Sequence, residues 1–242
     1  MAAHNTHNPN LDSDHRVWLI AIAAPRELDA AIAAFRYVGD RPKLWECIST
    51  DAGVDLVWTG VGKANAAGAA GRVLDPSCHR GILSIGIAGS LPGPQCAIGD
   101  VLCASASVFG DEGVAMPEGF CSCAQMGFSP FDDESDAIVH DAGVVDWLGQ
   151  YADHIGPIAC VSSCSGTDSG ASAVVERTGA IAEAMEGAAA CLSAYRIDKR
   201  LLTGELRVIS NTAGDRGAQL WDLDGSLEKL GRVLGRIAND LQ

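Results

Sequence analysis

Residues 17–37 read VWLIAIAAPRELDAAIAAFRY. Val17–Ala24 is apolar with no polar alternation, the mark of a strand buried on both faces. Pro25 opens a helical stretch, Pro25–Tyr37, because proline suits the first turn of a helix. This strand-then-helix unit recurs along the chain. Further strands are predicted at Asp55–Thr59, Gly81–Gly86, Gly99–Val108, Pro157–Ser162, Ala180–Ala184 and Glu205–Ser210. Helices are predicted at Lys63–Leu74, Ala137–Tyr151, a short segment ending at Arg177, Glu186–Tyr195 and Leu220–Leu241. Phe109–Asp136, rich in Gly, Pro, Cys and Phe, reads as a long irregular loop. The alternation predicts an α/β fold: one three-layer α/β/α domain, residues 16–242, around a central mixed, mainly parallel sheet.

Composition narrows the function. The chain has 242 residues and is 48% apolar, so disorder is excluded and one sizeable core is expected. Its formal charge is 17 − 31 = −14, which disfavours a nucleic-acid or anionic-membrane partner. No run of 18 apolar residues occurs, so no membrane span is expected. The nine cysteines are odd in number and contain no Cys-x-x-Cys pair, so they read as small buried hydrophobes of a reducing cytoplasm. No zinc-type spacing is present, and no metal or cofactor is expected. Residues 1–15, MAAHNTHNPNLDSDH, read as a disordered arm.

In an open α/β sheet the ligand sits at the carboxyl ends of the strands. Those ends carry Pro25-Arg26-Glu27, Gly60-Val61-Gly62, Gly86–Ser90, Ser163–Asp168, Met185-Glu186-Gly187 and Arg207–Asn211. Gly60-x-Gly62-x-x-Asn65 misses the third glycine of the dinucleotide fingerprint and follows the second strand, so it reads as a tight turn. Glu27 alone is a weak signal, since Glu is common in a helix's first turn. Glu186 either meets a helix dipole or accepts two hydrogen bonds from a cis-diol, with Met185 as an apolar floor under a ribose. Arg207 within an apolar strand, with Ser210 and Asn211 at its end, is costly to bury without purpose.

Taken in order, GVGKANAAGA at 60–69, SIGIAGSLP at 84–92, IGDV at 98–101, EAMEGAA at 183–189 and RVISNTAGD at 207–215 resemble the nucleoside phosphorylase and nucleosidase superfamily. DEGVAMPEGF at 111–120, SGTD at 165–168, the Ser-Asn pair at 210–211 and DR…LWDL at 215–223 resemble its futalosine hydrolase branch. The resemblance covers about residues 17–242. It implies hydrolysis of a purine N-glycosidic bond, in futalosine, within menaquinone biosynthesis. It implies catalytic roles for Glu27, Arg207 and Asn211, with Glu27 activating water and Asn211 serving the leaving purine. It implies substrate contacts from Ala88, Gly89, Met185, Glu186 and Trp221, a small nucleoside as the partner, and a homo-oligomer. An amide at Asn211 suits a 6-oxopurine, since it offers a donor to the 6-oxo group. A substrate carboxylate needs a basic neighbour, and Arg216 is nearby in sequence. The stretch just after Val161 has no aromatic, where the nucleosidase branch places a base-stacking Phe; either Phe109 or another ring takes its place, or the base sits between aliphatic walls. Rival readings are another nucleosidase, a phosphorylase using Arg26 and Arg207 for phosphate, and a non-catalytic nucleoside-binding protein.

Overall fold

A computed structural model describes residues 15–93 and 96–242; the arm read at 1–15 lies outside them except for His15. In chain order the elements are β1 Val17–Ile22, α1 Pro25–Ala34, β2 Cys47–Ser49, β3 Val54–Trp58, α2 Lys63–Val73, β4 His79–Ser90, β5 Val101–Phe109, β6 Gly113–Met116, β7 Gly119–Ser122, β8 Ala137–Val139, α3 Ala142–Gly149, β9 His154–Cys160, α4 Asp168–Thr178, β10 Ala182–Ala184, α5 Gly187–Ile197, β11 Leu202–Thr212 and α6 Leu223–Asp240.

The central sheet runs β10-β9-β5-β11-β4-β1-β3-β2, with β8 added beside β5. Parallel ladders join β3 to β1, β1 to β4, β4 to β11, β5 to β9 and β9 to β10. Antiparallel ladders join β11 to β5 and β10 to β4, so the sheet curls back on itself at the end of β4. It is mixed and mainly parallel, with helices on both faces.

The unbroken apolar run of β1 explains the layering. Trp18, Ile20 and Ile22 pack with Leu28, Phe35, Leu230, Leu234 and Ile237, under α1 and α6. Leu19 and Ala21 point the other way, into a cluster with Ala66, Ala69, Ala70, Ala188 and Ala190 of α2 and α5. Small residues on those two helices allow close approach to the sheet. Burial of an aliphatic side chain such as Leu19 or Ile20 contributes about 1.5–3 kcal/mol.

Three expectations need correction. Ala137–Tyr151 is not one helix. Residues 137–139 pair with Ala106–Val108 of β5 as β8, and α3 begins only after Asp141, whose carboxylate caps it by accepting from Gly143 N at 2.9 Å. A long-range ladder overrides local helical periodicity here. The loop 109–136 contains a hairpin, β6–β7, that short-range signals did not reveal. β4 is also longer than expected. Its Gly-rich end, residues 86–90, continues as strand because β11 pairs along one edge and β10 along the other.

Candidate active site

Glu27 sits in the first turn of α1, at the carboxyl end of β1. Its Oε2 accepts from Ala24 N at 2.7 Å, half of a capping box, and its Oε1 accepts from Ile87 N at 2.8 Å. Each oxygen thus accepts one backbone N–H, one from the chain entering its own helix and one from β4, and keeps a second lone pair. Burial raises the Glu27 pKa above the ordinary carboxylate value; Arg207 and the two backbone N–H groups counter that rise.

Arg207 is 1% exposed. Its Nε donates to Glu205 Oε1 at 2.8 Å, its Nη2 to Ser84 Oγ at 2.7 Å, and its Nη1 lies 3.6 Å from Glu186 Oε2. Burial alone would lower its pKa, yet Glu205, Glu186 and Glu27 outweigh burial and hold the guanidinium charged. Arg207 is the register partner of Gly86 in β4. A Cβ at Gly86 would lie 2.5 Å from Glu27 Oε1 and 2.6 Å from Arg207 Nη1, so glycine there leaves the space that both side chains use.

Glu186 stands at the head of α5. Its Oε1 accepts from Gly62 N at 3.0 Å, which ties the Gly60-Val61-Gly62 turn to the site, and its Oε2 is within 3.3 Å of Met185 N. Gly62 has φ +96°, a conformation that suits glycine. Met185 is half-buried beside it.

The second group surrounds a cavity of about 250 Å³, lined in part by Gly89, Ser165, Glu183, Asn211, Arg216 and Trp221. A bulge at Ser210 shifts the β11 register, so that Asn211 rather than Ser210 pairs with Gly89. Asn211 Oδ1 accepts from Ser210 Oγ at 2.9 Å, and Nδ2 donates to the Thr212 carbonyl at 3.0 Å. Asn211 and Trp221 form an isolated antiparallel bridge, which sets the half-exposed indole over the cavity. The Arg216 guanidinium lies 4.9 Å from the centre of the Trp221 ring. Gln219 closes the wall by donating to the carbonyls of Ser165 and Gly214.

The structure therefore brings Glu27, Glu186 and Arg207 into one buried cluster, and Gly89, Asn211 and Trp221 around one cavity. Gly86 contacts the first group and Gly89 the second; three residues of strand put them about 10 Å apart. Buried Ala88 lies between them. Phe109 does not stack over the cavity. It is buried in the core against Phe131, at 6.2 Å between ring centres, so Trp221 is the cavity's ring. Arg26 is exposed and paired with Asp224 at 2.6 Å, away from Arg207's polar partners.

Several polar residues of the site had no role assigned from the sequence. Glu205 and Ser84 hold Arg207, and Glu183 lines the cavity, its carboxylate accepting from Ser165 N and Oγ at 2.8 and 2.7 Å. Burial raises the Glu183 pKa, and the Ser165 bonds counter it. Glu205 and Arg207, two apart in an apolar strand, share a face and so were a findable pair. A larger cleft of about 600 Å³ lies at the other end of β11, between Phe131, His140, Tyr195 and Thr203. None of the expected site residues lines it, and its Asp132 and Lys199 pair with each other. Among the described residues no group of three His, Cys, Asp or Glu side chains is placed to hold a metal ion, and no helix is long and apolar enough to cross a membrane.

A profile of the phosphorylase superfamily matches residues 30–241. Futalosine hydrolase of Acidothermus cellulolyticus is 33% identical over 215 residues, covering 88% of this chain and 86% of the relative. A solved futalosine hydrolase mutant of Helicobacter pylori superposes with TM-score 0.74 at 17% identity, over 93% of this chain and 99% of the other. A 5′-methylthioadenosine/S-adenosylhomocysteine nucleosidase of Neisseria meningitidis superposes with TM-score 0.72 at 16% identity, over 94% and 100%. The two structures share this fold.

Proposed function

Because this chain belongs to the phosphorylase superfamily, we propose that it hydrolyses the N-glycosidic bond of futalosine. The products are hypoxanthine and dehypoxanthine futalosine, a step of menaquinone biosynthesis. The 33% identity to a futalosine hydrolase supports this substrate.

The observation that carries the reaction type is the charge balance around Arg207. Three carboxylates, Glu27, Glu186 and Glu205, share one guanidinium in a buried cluster. A phosphate dianion placed there would be repelled by the net negative charge, whereas a neutral water would not. Phosphorolysis is thereby disfavoured and hydrolysis favoured.

Breaking the bond builds oxocarbenium character on the ribose. Glu27 takes the proton from the attacking water, which requires its carboxylate form. Its raised pKa strengthens it as a base. Arg207 holds Glu27 and Glu186 in fixed orientation. Glu186 accepts from the ribose hydroxyls while Met185 supports the sugar. Asn211 donates to the 6-oxo group and accepts from protonated N7 of the departing base, with Ala88 and Gly89 providing a close backbone floor. Trp221 covers the substrate, and Arg216 meets the carboxylate of its 5′ extension. A mismatched base would leave buried polar groups unpaired, so 6-oxopurines are preferred over 6-aminopurines.

The same reading places a homo-oligomer in the cytoplasm, with no nucleic-acid or membrane partner; the charge of −14 supports the latter two. The test is a panel of futalosine, inosine, adenosine and 5′-methylthioadenosine, with free base measured with and without phosphate. Release of hypoxanthine from futalosine without phosphate is expected. Cleavage only when phosphate is present, or no cleavage at all, overturns the reading.

A further inference from the structure

Behind Arg207 a chain of polar side chains runs through the core. Glu205 Oε1 accepts from Arg207 Nε at 2.8 Å, and its Oε2 accepts from Ser107 Oγ of β5. Ser107 Oγ lies 3.0 Å from His140 Nε2, and His140 Nδ1 lies 3.0 Å from Thr203 Oγ1 of β11. Each of these residues is at most 5% exposed.

The proton positions follow from counting donors. Ser107 has one hydrogen and gives it to Glu205, so it must accept from His140 Nε2–H. His140 Nδ1 is then bare and accepts from the Thr203 hydroxyl. Burial keeps the ring neutral by pushing its pKa down to about 4. Every bond thus points toward Glu205, and Glu205 points at one edge of the guanidinium. Ser84 occupies Nη2, which leaves Nη1 for Glu186 and Glu27. Gly187 of α5 is a second sign of a built site, because a Cβ there would overlap the Glu205 carboxylate. The other titratable groups facing Glu205 are the thiols of Cys103 in β5, Cys160 in β9 and Cys191 in α5. Arg207 is faced by Glu27 from α1 and Glu186 from the head of α5.

We propose that Glu205 is a positioning residue: held through Ser107 and His140, it fixes the guanidinium of Arg207 so that Nη1 faces Glu186 and Glu27. The proposal rests on the roles given above to those two carboxylates. Without Glu205 the guanidinium loses its Nε partner and swings toward the remaining carboxylates.

The test compares Glu205→Ala, Glu205→Gln and Ser107→Ala. Glutamine still offers an oxygen to Arg207 Nε. Its amide then donates to Ser107, Ser107 donates to His140 Nε2, and His140 Nδ1–H donates to Thr203, so the chain survives with every direction reversed. Glu205→Ala is expected to lower kcat about 10- to 100-fold with KM within about threefold, the scale of a lost buried charged hydrogen bond. Glu205→Gln is expected to recover most of that kcat, yet to move the acidic limb of kcat/KM to lower pH, because the Arg207 charge that favours ionised Glu27 is then balanced by one carboxylate fewer. Ser107→Ala, which leaves Arg207 its partners, is expected to fall between wild type and Glu205→Ala.

A readout independent of turnover is the carboxyl carbon-13 NMR titration of Glu27, identified by its loss in Glu27→Gln. Its midpoint should be lower in Glu205→Gln than in wild type. Unchanged kcat in folded Glu205→Ala, or an unchanged Glu27 midpoint in Glu205→Gln, overturns the proposal. A wild-type protein that released no base would sink the hydrolase reading, while the NMR midpoint would still decide the role of Glu205.

Discussion

Replacing Gly86 with alanine is the sharpest single perturbation of this site. The new methyl carbon would lie 2.5 Å from Glu27 Oε1 and 2.6 Å from Arg207 Nη1. Ordinary contact begins at 3.4 Å, so both polar atoms must retreat by about 0.8–0.9 Å, that is 3.4 − 2.6 and 3.4 − 2.5. The backbone is held at this register by β11, where Gly86 pairs with Arg207, and at the next residue by the Ile87 N–H bond to Glu27. Overpacking of this kind costs about 1–3 kcal/mol of stability. A misplacement of about 1 Å in a catalytic group costs about 10²-fold in rate. Gly86→Ala is therefore expected to fold, with a lowered Tm, and to lose about 10²-fold in kcat/KM for futalosine. Gly71→Ala in α2 is the control: nothing lies within 4 Å of its added carbon, and it should be neutral or stabilising by about 1 kcal/mol. Steady-state hypoxanthine release and thermal melts read both. A folded Gly86→Ala protein turning over within threefold of wild type would refute the argument that Glu27 and Arg207 act as one unit.

Three further outcomes are expected. Asn211→Asp places an acceptor where the amide donates and should shift preference from 6-oxo toward 6-amino nucleosides by about 10²-fold or more in the kcat/KM ratio; an unchanged ratio removes Asn211 from base recognition. Turnover should fall as pH drops through the raised pKa of Glu27, because the base must be ionised, and this limb should vanish with the activity in Glu27→Gln; an acid limb at the ordinary carboxylate pKa would contradict the burial argument. His140 has its pKa lowered from 6.5 to about 4 in the fold, so its contribution to stability is present above pH 6.5 and lost as pH falls toward 4. About 2 kcal/mol of it is lost between pH 7 and pH 4.5, and urea melts of wild type and His140→Asn at those two pH values should show the variant's pH dependence flattened by that amount; parallel curves would mean another group is responsible.

What could be read ahead of the structure was set by local physics. The two-sided apolar run at residues 17–24 requires layers on both faces, and those layers are present as α1 with α6 and α2 with α5. Arg207 stood out because a guanidinium in an apolar strand needs partners, and Glu205, Glu186 and Ser84 are those partners. Ser107 and His140 were invisible for the opposite reason: a serine in a strand and a histidine in a stretch of helical periodicity are ordinary until β5 and β8 pair and bring them together. The bulge at Ser210, which turns Asn211 to Gly89, is likewise a property of the β4–β11 ladder rather than of either strand alone. The ring over the cavity was legible only through order along the chain, since Trp221 reaches Asn211 by a single bridge.

The central claim is that this cluster delivers water, not phosphate, to the sugar carbon bonded to the purine. The direct measurement is mass spectrometry of the products of futalosine turnover in water enriched in oxygen-18, with phosphate present. Free hypoxanthine and one heavy oxygen on the anomeric carbon of the sugar product are expected, both absent in Glu27→Gln. A sugar 1-phosphate, or a sugar product without the heavy oxygen, would contradict the claim.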